Sequence, residues 1–187
     1  GQARLLRHAE ATDGTDPPPI TPAPREGDPP LSFEQMEFWC FERQYPGTSS
    51  YNYPVSMLLT GPLNTPALAQ ALNEVVRRHE LLRTTFDEVD GRAVQRIAPR
   101  LDVGLPVIDL SGLPAECREN AAQARAAEEA WRPFDLARGP LIRALLLRLD
   151  GEASVFVLTL HHIIFDGWSR SVLFRELSEG YAAFVEG

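Results

Sequence analysis

The chain has 187 residues, 44% hydrophobic and 24% charged, which is enough apolar material for one domain with a real core. Its formal net charge of −8, with 18 arginines and no lysine, argues against a nucleic-acid-binding surface. No apolar run reaches membrane-spanning length, no secretory leader is evident, and Cys40 and Cys117 form no metal motif, so a reduced, cytoplasmic protein with no membrane or nucleic-acid partner is expected.

Residues 3–12, with Leu5, Leu6 and Ala9, suit a short helix. Pro17, Pro18, Pro19, Pro22, Pro24, Pro29 and Pro30 then form a semi-rigid spacer of the kind that joins modules in a longer chain; a loose N-terminal tail fits the same composition. Ser32 followed by Gln35 is a capping-box pattern, and Met36, Trp39, Cys40 and Arg43 follow at helical spacing. Tyr51 to Thr60 predicts a strand. Thr65-Pro66 reads as a cap and a first-turn proline, opening a helix to about His79 with Leu68, Leu72, Val75 and Val76 on one face. Arg83–Val89 and Arg92–Ile97 flank Asp90-Gly91, a strong hairpin signal. Val103–Leu110 predicts another strand and Ala115–Trp131 an alanine-rich helix. Leu141–Leu149 and Ser154–Leu160 flank Asp150-Gly151-Glu152 as a second hairpin, and Ser169–Val185 closes with an amphipathic helix capped by Ser169. Mixed elements with two antiparallel pairs predict an α/β fold, a two-layer sandwich on a mixed, largely antiparallel sheet. The sequence has no glycine-rich phosphate loop and no zinc spacing.

The chemistry concentrates in His161-His162-Ile163-Ile164-Phe165-Asp166-Gly167-Trp168-Ser169, directly after the apolar run from Val155 to Leu160. Side chains alternate along a strand, so His161 and His162 point to opposite faces and do not share one ligand. A metal held by His162 and Asp166 lacks a third ligand nearby, and no metal is expected. A neutral imidazole at a strand end suits acyl transfer, in which an attacking amine or hydroxyl is oriented or loses its proton. Gly167 permits close backbone approach or positive φ, and Asp166 suits an organising ion pair with an arginine. A pair of core histidines followed by an ordinary Asp-Gly turn accounts for the same residues. A Ser-His-Asp hydrolase is disfavoured because the chain has no GxSxG elbow.

The run resembles the HHxxxDGWS signature of condensation domains in non-ribosomal peptide synthetases. Leu31 to Trp39 is similar to the family's opening motif, with Gln35 and Trp39 kept, and Arg77 to Phe86 is similar to its second motif, RHExLRTxF. Tyr51-Asn52-Tyr53-Pro54 and Pro133-Phe134-Asp135-Leu136 also resemble family segments. The likeness covers roughly residues 29–187. It implies a chloramphenicol-acetyltransferase-like half: residues 1–30 as linker, with the possible end of an upstream carrier domain, and 31–187 as the N-terminal lobe, the C-terminal lobe being absent.

The resemblance implies peptide-bond formation between aminoacyl or peptidyl thioesters. These would be carried on the 4'-phosphopantetheine of upstream and downstream peptidyl carrier domains, with no cofactor bound directly and with an adenylation domain as a further partner. His162 would be the catalytic histidine. His161 would be structural, and Asp166 would sit in a salt bridge with Arg83 of the second motif. Gly167 would admit substrate or offer its N–H to an oxyanion. The lobe alone would be inactive. Two alternatives stay open: a non-catalytic binding lobe, and an ester-forming acyltransferase of the same superfamily.

Overall fold

A computed structural model describes residues 27–186; the expected helix at 3–12 and most of the proline spacer lie outside them. Pro29 and Pro30 are inside the fold. Pro30 bridges Val94, and the Gln95 N–H and side chain donate to the carbonyls of Pro29 and Pro30, each at 2.8 Å. The last two residues of the expected spacer are thus tied to a strand.

Helix α1 (Phe33–Gln44) leads through strand β1 (Asn52–Thr60) to α2 (Thr65–Arg78) and a 3-10 turn (Glu80–Arg83). The hairpin β2 (Thr84–Val89) and β3 (Arg92–Ile97) follows, then β4 (Val107–Asp109), α3 (Ala115–Trp131), β5 (Ile142–Arg148) and β6 (Ala153–His161). A second 3-10 turn (His162–Ile164) delivers the chain into α4 (Gly167–Glu186). The main sheet runs β1-β6-β5-β4, with β4 parallel to β5 and the other pairs antiparallel, while β2 and β3 pair separately. This is the expected α/β class with its mixed, largely antiparallel sheet.

The continuous apolar run of β6 reflects burial on both faces. Phe156, Leu158 and Leu160 face the larger core with Leu72, Val76 and Leu173 of α2 and α4, whereas Val157 packs with Leu145, Leu147 and Ala122 of α3. Helix α3 therefore covers the sheet face opposite α2 and α4, and its small alanines let it lie close. In α2 the buried positions Leu68, Leu72, Val75 and Val76 make the expected stripe.

Three local expectations shift. Asn64, not Thr65, caps α2, accepting from the Ala67 N–H at 3.1 Å. The strand expected at 103–110 shrinks to Val107–Asp109, because the Val103 N–H is taken by the Asn73 side chain at 2.7 Å and Pro106 has no N–H to give. Helix α4 starts two residues earlier than expected, for a reason that belongs to the site.

Candidate active site

Strand β6 carries His161 into the interior and then stops. His161 is 1% exposed, ringed by Phe134 and Tyr51 at centroid distances of 6.0 and 6.3 Å. Its Nδ1 accepts from the Ile163 N–H at 3.1 Å, which turns the backbone out of the strand. The His162 N–H still donates to the Tyr51 carbonyl at 2.8 Å, so the turn is pinned to the start of β1. Ile163, Ile164 and Phe165 are buried and anchor it from below. The residue between His161 and these anchors is His162, which the turn directs into a cleft of about 520 Å³ shared with Gln35, Phe38, Leu81, Asp166 and Ser169. The two rings do part, but by the turn rather than by alternation, since the strand ends at His161 and His162 opens the 3-10 turn.

His162 is half-buried, flanked by the rings of Phe38 at 5.1 Å and Tyr53 at 5.9 Å. Its Nδ1 is buried and meets no protein partner among the described residues, leaving Nε2 as the ring nitrogen for the cleft. His161 differs electrically: burial, with His162 adding like charge when protonated, pushes its pKa down to about 4. It is a neutral imidazole at physiological pH. Burial also pushes its neighbour Glu42 up to about 7.

The expected salt bridge between Asp166 and Arg83 does not form; among the described residues no ion pair joins them. Asp166 is instead the cap of α4: its Oδ1 accepts from the Ser169 N–H at 2.7 Å and the Ser169 hydroxyl at 2.6 Å. Ser169, expected as the cap, is the residue the cap holds, three positions into the structure it was meant to start. Those bonds from Ser169 keep the Asp166 carboxyl below its ordinary range. Arg83 donates to the Ala98 carbonyl and lies 3.6 Å from Glu80, which clips the first 3-10 turn to the end of β3. Leu81, not Arg83, is what the second motif contributes to the cleft. Gly167 has no positive φ, so that reason for a glycine does not apply, and a Cβ there would meet no protein atom within 4 Å. The space above it is open.

The family model for the condensation domain matches residues 25–187. This chain belongs to that family. It is 48% identical over 166 residues to a linear gramicidin synthase of Brevibacillus parabrevis, covering 89% of this chain and 3% of that protein. It is 37% identical over 187 residues to phosphinothricin tripeptide synthetase PhsB of Streptomyces viridochromogenes, covering 99% of this chain and 16% of that one. Among solved structures, the starter condensation domain of rhizomide synthetase RzmA matches with a TM-score of 0.80 and 28% identity over 87% of this chain and 39% of that chain. The first condensation domain of the CDA synthetase matches with a TM-score of 0.80 and 28% identity over 86% of this chain and 41% of that chain. The chain thus spans about two fifths of the solved condensation domains it matches. Among the described residues no helix is long and apolar enough to cross a membrane, and no cluster of side chains is placed to hold a metal.

Two residues that brace the His162 turn are given no place at the candidate site by sequence reasoning. Gln35 donates to the Ile163 carbonyl at 3.5 Å while also closing the capping box with Ser32. Glu42 reaches His161, 119 positions away. Gln35 carried a local signal, the capping box; Glu42 carried only the oddity of a carboxylate on the inward face of a helix.

Proposed function

We propose that this chain is the histidine-bearing lobe of a condensation domain that forms a peptide bond between thioesters held on carrier domains. The observation that carries it is the contrast between the two histidines: His161 is sealed and neutral, while His162 stands on a braced turn at the mouth of a cleft. His162 would meet the acceptor amine through Nε2 and orient it toward the donor thioester carbonyl. With no acceptor among the described residues to hold a proton on Nδ1, the ring lacks the buttress of a Ser-His-Asp base, which favours orientation over strong proton abstraction. The Gly167 N–H, at the start of α4, is the donor nearest in sequence for the developing oxyanion. Asp166 sets the position of that helix end and so acts as an organiser. Arg83 supports the fold around the site rather than its chemistry.

Donor and acceptor would arrive on the 4'-phosphopantetheine arms of peptidyl carrier domains, loaded by an adenylation domain. Phe33 and Trp168, 94% and 85% exposed, stand beside the cleft, Phe33 between the cleft-lining Ser32 and Glu34. They suit coverage by the second lobe, with the residues before Pro29 as the linker to a preceding module. The chain alone would therefore be inactive. Reconstitution of the complete domain with carrier-bound donor and acceptor tests this: peptide from the complete domain and none from the 187-residue chain is expected. Product with a hydroxyl acceptor but not with an amine would overturn it in favour of ester formation.

A further inference from the structure

Helix α1 turns a carboxylate into the protein. Glu42 is its one buried residue. A carboxylate removed from water needs a partner. Glu42 has the His161 ring, with Oε1 3.3 Å from Nε2. The other ring nitrogen, Nδ1, accepts from the Ile163 N–H at 3.1 Å. The two contacts together fix the tautomer: with Nδ1 accepting from Ile163 and Glu42 accepting at the far side, the single proton of the neutral ring is on Nε2, which donates to Glu42. The path from Glu42 to the turn that carries His162 therefore has one intermediate, His161.

The same helix holds the other side of that turn. Gln35 stands seven residues before Glu42, two helical turns along, and donates to the Ile163 carbonyl at 3.5 Å. Both backbone polar groups of Ile163 thus depend on α1, one directly through Gln35 and one through Glu42 and His161.

We propose that Glu42 is a positioning residue for His162, holding the His161 ring so that its Nδ1 closes the turn on which His162 stands. This rests on the reading of His162 as the group that meets the acceptor amine. The surroundings suit the role. On its open side Glu42 faces a cleft of about 450 Å³ that also holds Arg43, Asp87, Glu88 and Asp135. Arg43 is spoken for by Glu88 and Asp87 by Arg96, leaving Glu42 to the histidine. Burial keeps the imidazole neutral, and the glutamate presents an acceptor oxygen whether ionised or protonated.

The test is a single-turnover rate with carrier-bound substrates in the complete condensation domain, together with ¹⁵N-histidine NMR of the same protein. Glu42→Leu removes the acceptor, Glu42→Asp withdraws it by one methylene, and Glu42→Gln keeps a carbonyl oxygen in place. The Leu and Asp variants are expected to slow bond formation about 10- to 100-fold without changing the substrate concentration at half-saturation, and to lose the single Nε2–H tautomer of His161. Glu42→Gln is expected to restore both. Where Glu42→Leu fails to fold, Glu42→Asp carries the same comparison. A wild-type rate in Glu42→Asp, or a Gln variant as slow as Asp while keeping the His161 tautomer, overturns the proposal. His162→Ala run alongside separates the two claims: full activity in that variant sinks the role of His162, while the His161 spectrum still decides whether Glu42 fixes the ring.

Discussion

Asp166 and Arg83 stabilise the lobe through different partners, so removing both costs the sum of removing each. Asp166→Ala deletes a helix cap with two bonds, to the Ser169 N–H and hydroxyl. Loss of a cap of this kind costs about 1 kcal/mol, in a range of roughly 0.5–2. Arg83→Ala leaves the Ala98 carbonyl without its charged donor, worth roughly 1.5–3 kcal/mol. With no shared partner, the double variant loses about 3 kcal/mol and the coupling stays within about 0.5 kcal/mol of zero. Urea unfolding of the wild type, both single variants and the double variant, followed by tryptophan fluorescence, measures all four corners. The Asp166 contribution also has a pH signature. Its carboxyl titrates below the ordinary value, so the stabilisation is complete above about pH 4 and is lost as pH falls through the lowered pKa. The cost of Asp166→Ala therefore shrinks in acid. A coupling of about 1 kcal/mol or more between the two sites would refute the capping account and restore the ion pair.

The Glu42–His161 pair gives a second pH prediction. A carboxyl raised from 4.5 to about 7 makes stability fall as pH climbs through that window, by up to about 3 kcal/mol, and a histidine lowered from 6.5 to about 4 makes it fall as pH drops through its own. The two limbs offset in the wild type; in Glu42→Gln the histidine limb stands alone, so stability rises to about pH 6.5 and then levels, and parallel urea midpoints for the two proteins would contradict this. Leu158→Ala, at a fully buried position of the central strand, is expected to cost about 2–5 kcal/mol in the same assay. Gly91 sits at φ 74° in the β2–β3 turn, so Gly91→Ala is expected to cost roughly 1–2 kcal/mol, whereas Gly167→Ala, with open space around the added carbon, leaves the unfolding midpoint nearly unchanged.

What the sequence made legible was local. The Ser32–Gln35 capping box forms as its spacing requires, with bonds of 2.9 and 3.2 Å. Asp90 and Gly91 both take positive φ, as a two-residue hairpin demands, and Asp150-Gly151 turns β5 into β6. The separation of His161 from His162 was expected from strand alternation, whereas the turn that begins at His162 produces it. The misses are choices between neighbouring acceptors or between distant partners. Asn64 and Thr65 can each cap a helix, and Asp166 and Ser169 likewise, and spacing alone does not say which backbone N–H each will reach. The Arg83–Asp166 pairing joined two motifs by charge, but Arg83 is spent 15 residues away on Ala98. Glu42 could not be connected to His161 without the path of the fold, since 119 residues separate them.

The most direct measurement is the yield of carrier-bound peptide in a single turnover of the complete condensation domain, wild type against His162→Ala, with unfolding curves of both proteins in hand. The account predicts that His162→Ala loses the product while its unfolding midpoint stays at the wild-type value, because the His162 side chain faces the cleft and its buried Nδ1 makes no hydrogen bond among the described residues. Wild-type product yield from a folded His162→Ala domain would contradict it and return both histidines to a structural role.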